Sequence, residues 1–329
     1  MTPRIARHEK LAAALAAASD DLLATARPLG SGIGGTTCLL PVDGENVFVK
    51  RVALTDVELA NPRSTADLSG LPPWYHYGVG SAGVSAWREL EAHLMTSDWV
   101  RTGACENFPL LHHWRVLPGL PRGPLPRAGL ERDVEFWHGD PGVRRRLEAL
   151  AGSTADLVLF LEHVPRNLAE WLTTDERPVE EELRHLTGFL AEQDVQHFDA
   201  HFRNILADGE RLYLTDFGLT LSSRFDLSGA EERFLAEHAD HDRAYVLTQL
   251  VNWAVSRHRK WPHPRVRNDF VRDCAAGRAG PELPPLVHRY APLATVVNDF
   301  YFALHGESRK TPYPREEIAQ RLPVSGTFT

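Results

Sequence analysis

An α+β chain is predicted, with a β-rich amino-terminal third and a mainly helical carboxy-terminal half. Three observations carry that prediction. Apolar runs flank an Asp43-Gly44 turn, which reads as a β-hairpin. Two further strand-like runs follow, Leu110 to Leu117 and Leu157 to His163. Beyond Gly218 the apolar residues recur at helical spacing almost to the end.

Along the chain, the Ala-rich stretch Leu11 to Ala18 resembles the apolar part of a signal peptide, but an acidic Ser-Asp-Asp and no convincing cleavage site follow it. It reads as an amphipathic helix packed on the small lobe. The hairpin occupies Pro28 to Leu40 and Asn46 to Val52. Residues 55 to 85 are rich in Pro, Gly and Ser with scattered aromatics, which predicts an ordered insertion rather than a helix. From Ala86, Trp87, Leu90, Leu94 and Met95 fall on one helical face. The Pro- and Arg-rich connection from Pro118 to Gly152 carries a short helix near Val143 to Leu150, and Glu180 to Val195 forms a helix with acids in its first turn. Helical segments follow near Glu231 to Val255, Arg265 to Cys274 and Val287 to Leu304. The order implies two lobes, residues 1–164 with an N-terminal helix, a five-stranded sheet and one inserted segment, and residues 165–329 mainly helical.

At 329 residues and 43% hydrophobic composition, the chain is long enough to bury a sizeable core. A net charge of −8 and the lack of a basic stripe argue against nucleic acid as a partner. Arg144-Arg-Arg146, Arg257-His-Arg-Lys260 and Glu237-His-Ala-Asp-His-Asp242 read as solvated faces, the last in preference to a metal cluster. Cys38, Cys105 and Cys274 have neither disulfide-framework nor zinc spacing, which suits a reducing cytoplasm. No run approaches the about 18 apolar residues of a membrane span.

Several residues then suggest phosphate chemistry. Gly30-x-Gly32-x-x-Gly35 lies between predicted strands, where missing side chains let backbone N–H groups approach phosphate oxygens. A strand follows it, which disfavours a dinucleotide-binding turn. Lys50 sits within the strand Val47-Phe-Val-Lys50 in a chain whose only other lysines are Lys10, Lys260 and Lys310, so arginine is the default cation here. A compact ammonium fits a crowded phosphate pocket where a planar fork does not. Its carboxylate partner should come from the helix after Ala86; the helical wheel puts Glu91 on the apolar inward face and Glu89 roughly opposite, so Glu91 is favoured with Glu89 as the alternative.

The most specific block is His197-x-Asp199-x-His201-x-x-Asn204, followed after the strand Leu212 to Thr215 by Asp216-Phe-Gly218. Asp199 suits the task of orienting a hydroxyl or accepting its proton, and Asn204 and Asp216 offer hard oxygens for Mg²⁺.

Together these motifs resemble the protein-kinase-like superfamily over about residues 28 to 255, and most resemble its aminoglycoside phosphotransferase and choline kinase branch. The resemblance implies a kinase-like two-lobe fold, ATP and Mg²⁺, and catalytic roles for Asp199, Lys50, Glu91 (or Glu89), His201 and Arg203. It implies nucleotide binding by Gly30, Gly32, Gly35 and Lys50, with adenine contacts at the hinge residues Glu162 and Val164, and metal binding by Asn204 and Asp216. His201 replaces the lysine usual in eukaryotic-type protein kinases, and no Ala-Pro-Glu segment follows Gly218. The implied activity is therefore transfer of the γ-phosphoryl group to a hydroxyl of a small molecule, an antibiotic or sugar-like metabolite. A bacterial Ser/Thr protein kinase and a nucleotide-binding pseudokinase module are the alternatives. The antibiotic kinases commonly carry His-Gly-Asp and a Pro-Gly before the asparagine; Phe198, Phe202 and Arg203 put bulkier residues there, on the acceptor side.

Overall fold

The computed structural model of the chain describes residues 2–32, 34–122, 126–172 and 177–323. Ile33 of the glycine-rich segment and residues 123–125 of the connection lie outside them. The architecture is α+β, built on a five-stranded antiparallel sheet of order β1-β2-β3-β5-β4. Its strands are β1 (Arg27–Gly32), β2 (Gly35–Val42), β3 (Glu45–Leu54), β4 (Leu111–Pro118) and β5 (Ala155–Glu162). Asp43 and Gly44 both have positive φ, 51° and 85°, the backbone a two-residue hairpin turn requires.

Strand alternation gives the sheet two apolar faces. Val47, Val49, Val158 and Phe160 pack with Leu11 and Leu15 of α1 (Pro3–Ala17) on one face. Val52, Leu54, Leu157, Leu159 and Leu161 pack with Trp87 and Leu90 of α3 (Ala86–Thr102) on the other. Lys50 shares the parity of Val52 and Leu54, so it points towards α3. Ser85 caps α3 through the N–H groups of Trp87 and Arg88, and Gly103 ends it at φ 75°.

The insertion between β3 and α3 is mostly irregular. It holds the five-residue α2 (Asp56–Ala60), with a Thr55/Glu58 capping box, and a 3₁₀ turn at Pro73–His76. Its anchor is Glu58, buried and bonded to Arg146 at 2.9 Å and to the Ala86 N–H at 2.9 Å. Arg146 is thus an interior cation and not part of a solvated face; Arg257 to Lys260 is solvated as expected. The connection after β4 forms two helices, α4 (Arg127–Phe136) and α5 (Pro141–Gly152), of which the sequence pattern gives the second.

After β5 come β6 (Arg166–Asn167), α6 (Leu168–Trp171), α7 (Arg177–Glu192), β7 (Val195–Gln196), β8 (Ile205–Ala207), β9 (Leu212–Leu214) and β10 (Leu221–Ser222). The helices α8 (Gly229–Glu237), α9 (His241–His258), α10 (Pro264–Ala275), α11 (Pro285–Gly306) and α12 (Arg315–Ala319) complete the chain. Their largest core gathers Leu183, Leu186, Leu250, Val251, Val287 and Leu293. A separate apolar cluster joins the insertion (Leu71, Tyr75, Tyr77, Val79) to Phe198, Phe234 and Phe300. No helix among the described residues is long and apolar enough to cross a membrane.

Candidate active site

Three elements bring charged groups to one point: β3 carries Lys50, α3 carries Glu89, and the β9–β10 loop carries Asp216. Lys50 Nζ donates to Glu89 Oε1 and to Asp216 Oδ1, each at 2.6 Å. Burial works against the ammonium, but the two carboxylates outweigh it and raise the Lys50 pKa. Burial also opposes the charge on Asp216, yet Lys50 holds its carboxyl below the usual range.

The favoured partner Glu91 is therefore corrected to Glu89. Glu91 turns outward and forms a paired contact with Arg63, 2.7 and 3.0 Å. The one-sided wheel fails because α3 is enclosed by sheet, insertion and helical region together. Its inward stripe towards the site is polar, Glu89, His93 and Thr96 at spacings of four and three, all buried. His93 lies edge-on to Phe217, with ring centroids 4.9 Å apart. Both its ring nitrogens are buried without a partner, and burial above all pushes its pKa down to about 3.

The loop between β7 and β8 is held from beneath. Asp242, at the start of α9, accepts from the His197 N–H and from the Phe198 N–H at 3.0 Å. Phe198 has φ 64°, and Asp216 has φ 69°, conformations that side-chain-bearing residues rarely adopt. His197 is fully buried as a neutral imidazole: Nε2–H donates to the Thr215 carbonyl at 3.0 Å, and Nδ1 accepts from the Asp199 N–H at 3.2 Å. The Thr215 N–H donates to the Asn204 carbonyl at 2.9 Å, so Asn204 and Asp216 are brought side by side.

Asn204 Nδ2 donates to Asp199 Oδ2 at 3.1 Å and to the Asp199 carbonyl at 3.0 Å. Burial first, and then the negative charge of Asp216, pushes the Asp199 carboxyl up to about 7. His201 Nδ1 accepts from the Arg203 and Asn204 N–H groups, both at 3.2 Å, and Nε2 lies 3.8 Å from Asp199 Oδ2. Arg203 points into solvent.

Phe198 and Phe202 are corrected as well: neither faces an acceptor. Phe198 is fully buried against Tyr77 and Phe234, and Phe202 belongs to the main helical core. The histidine-rich segment before Asp242 is likewise no solvated face, since His238, His241 and Asp242 are all buried. The backbone that Asp242 holds lies 44 and 45 residues away in sequence, so its role has no local signal.

Two glycines absent from the sequence reading also line the site. A Cβ on Gly34 would lie 3.5 Å from Lys50 Nζ, so the loop tip rests directly over the ammonium. A Cβ on Gly78 would fall 2.1 Å from Asp199 Oδ1, so only glycine lets the insertion press on that carboxylate. The strap continues along the Asp-Phe-Gly segment, with His76 Nδ1–H donating to the Leu219 carbonyl at 2.8 Å and the Val84 N–H to the Gly218 carbonyl at 3.1 Å. Of the motif glycines, Gly35 sits at φ 127° against the Arg51 carbonyl, while Gly30 and Gly32 have open space around them. A cavity of about 400 Å³ lies at the loop tip, walled by Gly34, Gly35, Glu89 and Gly218.

At the expected hinge, the Glu162 N–H is engaged by the Leu110 carbonyl at 2.8 Å, and its side chain binds Arg4 of α1 at 2.7 Å. Val164, past the strand end, has no backbone partner among the described residues. The remaining donor set fits Mg²⁺: Asn204 Oδ1 and Asp216 Oδ2 are hard oxygens without a hydrogen bond to the described residues, and this ion needs only one or two protein oxygens beside phosphates and water. No cluster of three His, Cys, Asp or Glu suited to another metal occurs among the described residues. Comparison with models of protein families finds no match, and no curated protein matches the chain.

Proposed function

We propose that this chain is an ATP-dependent phosphotransferase of kinase-like two-lobe construction that phosphorylates a hydroxyl of a small molecule. The observation that carries the reading is the convergence of Lys50, Glu89 and Asp216 within 2.6 Å contacts, beneath the Gly34 backbone and beside an Asp199–Asn204 pair. A structural ion cluster needs neither a glycine tip above it nor a third carboxylate, Asp199, with its pKa raised to about 7 nearby.

In this reading Lys50 binds the α- and β-phosphates, Glu89 fixes its direction, and the loop from Gly30 to Gly35 offers backbone N–H groups to the β- and γ-phosphates. The Val164 backbone is free to meet adenine; the Glu162 N–H is not, so its carbonyl is the group left for that role. Asn204 and Asp216 would hold Mg²⁺, which when bound neutralises phosphate charge. Asp199 orients the acceptor hydroxyl and takes its proton as that oxygen bonds to the γ-phosphorus, while the bond to the bridging oxygen breaks and ADP leaves. A carboxyl near pH 7 in the resting site is matched to that proton transfer. His201 positions the loop through its Nδ1 contacts, and nothing assigns Arg203 a catalytic contact.

The test is incubation with γ-labelled ATP and Mg²⁺, alone, with a protein mixture, and with a small-molecule library. Label in small molecules that disappears with Asp199→Ala supports the proposal. Label in protein, or ATP binding without transfer in any mixture, refutes it.

A further inference from the structure

Between α9, α10 and α11 lies a cavity of about 230 Å³, walled by Tyr245, Gln249, Arg267, Tyr301 and His305. Asn252 and Asn298 also line it; they exchange side-chain hydrogen bonds of 2.8 and 3.0 Å. Hydrogen bonds tie one of its walls to the loop that carries Asp199. Tyr301 donates to His241 Nε2 at 2.9 Å, and His241 Nδ1–H donates to Asp242, which holds the Phe198 N–H. Tyr245 stacks on the same imidazole, with centroids 5.7 Å apart. Burial, and with it the Asp199 charge, raises the pKa of both phenols.

The cavity's charge is one-sided. None of its lining residues is a carboxylate, whereas Arg267 is a cation. Arg267 Nε is buried without a partner, its one side-chain bond is 3.3 Å to Ser256 Oγ, and it has no ion pair among the described residues. It occupies the first turn of α10, where the helix dipole disfavours a cation and no acid offsets it. A half-buried guanidinium in that position is costly unless an anion comes to it. Burial accordingly lowers its pKa, with no carboxylate opposing.

We infer that this cavity seats the far end of the phosphoryl acceptor, and that the acceptor is a small alcohol bearing a carboxylate or phosphate bound by Arg267. The inference rests on the phosphotransferase reading for the word acceptor, and on the cavity alone for the anion. It argues against a polycationic antibiotic, which would need carboxylates where this cavity has amides, phenols and arginine. The volume also lies below the about 300–1,000 Å³ of sites for drug-sized ligands.

The experiment measures calorimetric binding of D-glycerate, D-glucuronate and glycerol 3-phosphate, against glycerol, glucose and the aminoglycoside neamine. The full chain, its Arg267→Gln and its Arg267→Lys variants are compared. At least one anionic alcohol should bind, glucuronate should exceed its neutral counterpart glucose, and Arg267→Gln should weaken the anion by about 10- to 100-fold, the range for a lost charge-assisted hydrogen bond, while Arg267→Lys retains most of it. The inference is overturned if no anion binds, if neamine or the neutral alcohols bind more tightly, or if Arg267→Gln binds the anions unchanged. The glucuronate–glucose comparison needs only the unaltered chain, so a misfolded variant does not hide the answer. Labelled ATP with the same probes separates the two readings. Transfer only to alcohols without an anionic group retains the phosphotransferase and removes this inference; Arg267-dependent binding without transfer to any compound retains the site and removes the phosphotransferase.

Discussion

Asp199→Asn should make the resting protein more stable while abolishing phosphoryl transfer. The Asp199 carboxyl titrates near 7 in the fold against 3.8 for an ordinary aspartate, because burial and the Asp216 charge both disfavour ionisation. At ~1.4 kcal/mol per pKa unit the ionised folded form is penalised by about 4 kcal/mol at most. The side chain is 21% exposed, and solvent screening brings the expected figure to about 2–4 kcal/mol. The sign follows from proton counting: between 3.8 and about 7 the folded carboxyl keeps a proton that the unfolded one has lost, so raising pH through that window removes stability. Asparagine is neutral throughout and can still accept from Asn204 Nδ2. Denaturant unfolding of both proteins at pH 4, 6 and 8 should show a gap that is near zero at the first and grows to its full size at the last. A gap independent of pH, or a variant less stable than the parent at pH 8, would refute the assignment of Asp199 as a destabilised ionisable group.

Glu89→Ala should cost about 2–4 kcal/mol in denaturant unfolding, because it strips a buried ammonium of one of its two carboxylates, whereas Glu91→Ala should stay within about 0.5 kcal/mol; equal losses would put the pairing in the wrong place. Gly78→Ala forces a methyl against Asp199 Oδ1 and should lower transfer at least about tenfold with ATP binding retained, so unchanged turnover would show that the strap does not press on this carboxylate. His93→Leu replaces two unpartnered buried nitrogens and should stabilise by about 1–3 kcal/mol. Because the folded pKa of His93 is depressed to about 3, the parent's stability should fall as pH drops below about 6.5, and the variant should lose that part of the acid limb; identical acid limbs would count against it.

What the sequence makes legible follows how local each feature is. The hairpin turn was readable because Asp43-Gly44 is a two-residue backbone requirement, and Lys50 because a lysine inside a strand is unusual in an arginine-dominated chain. Asn204 and Asp216 lie close together because strands β8 and β9 pair directly, so short spacing carries over into space. Glu89 was misplaced because a helical wheel assumes one apolar face towards one core. Here α3 also meets the helical region, where Arg88 binds Glu231 at 2.6 Å, and the face towards Lys50 is polar. Gly78 acts on Asp199 across 121 residues and Asp242 on Phe198 across 44, distances at which no periodicity or spacing rule reports contact.

Phe198 shows how the insertion and the loop between β7 and β8 depend on each other. Its φ of 64° belongs to the region that glycine occupies freely, and a side chain there costs roughly 1–2 kcal/mol. Complete burial of a phenylalanine contributes about 1.5–3 kcal/mol, enough to offset that strain only if apolar partners surround the ring. The partners are Tyr77 from the insertion and Phe234 from α8, with Phe300 behind Tyr77 in the same cluster. Tyr77 is itself fixed, its hydroxyl donating to His238 Nε2 at 2.5 Å, and the next residue is Gly78 against Asp199. The bulky residue expected on the acceptor side therefore does a different task. It fastens the insertion to the back of the Asp199 loop, and by doing so fixes where the strap meets the carboxylate on its front.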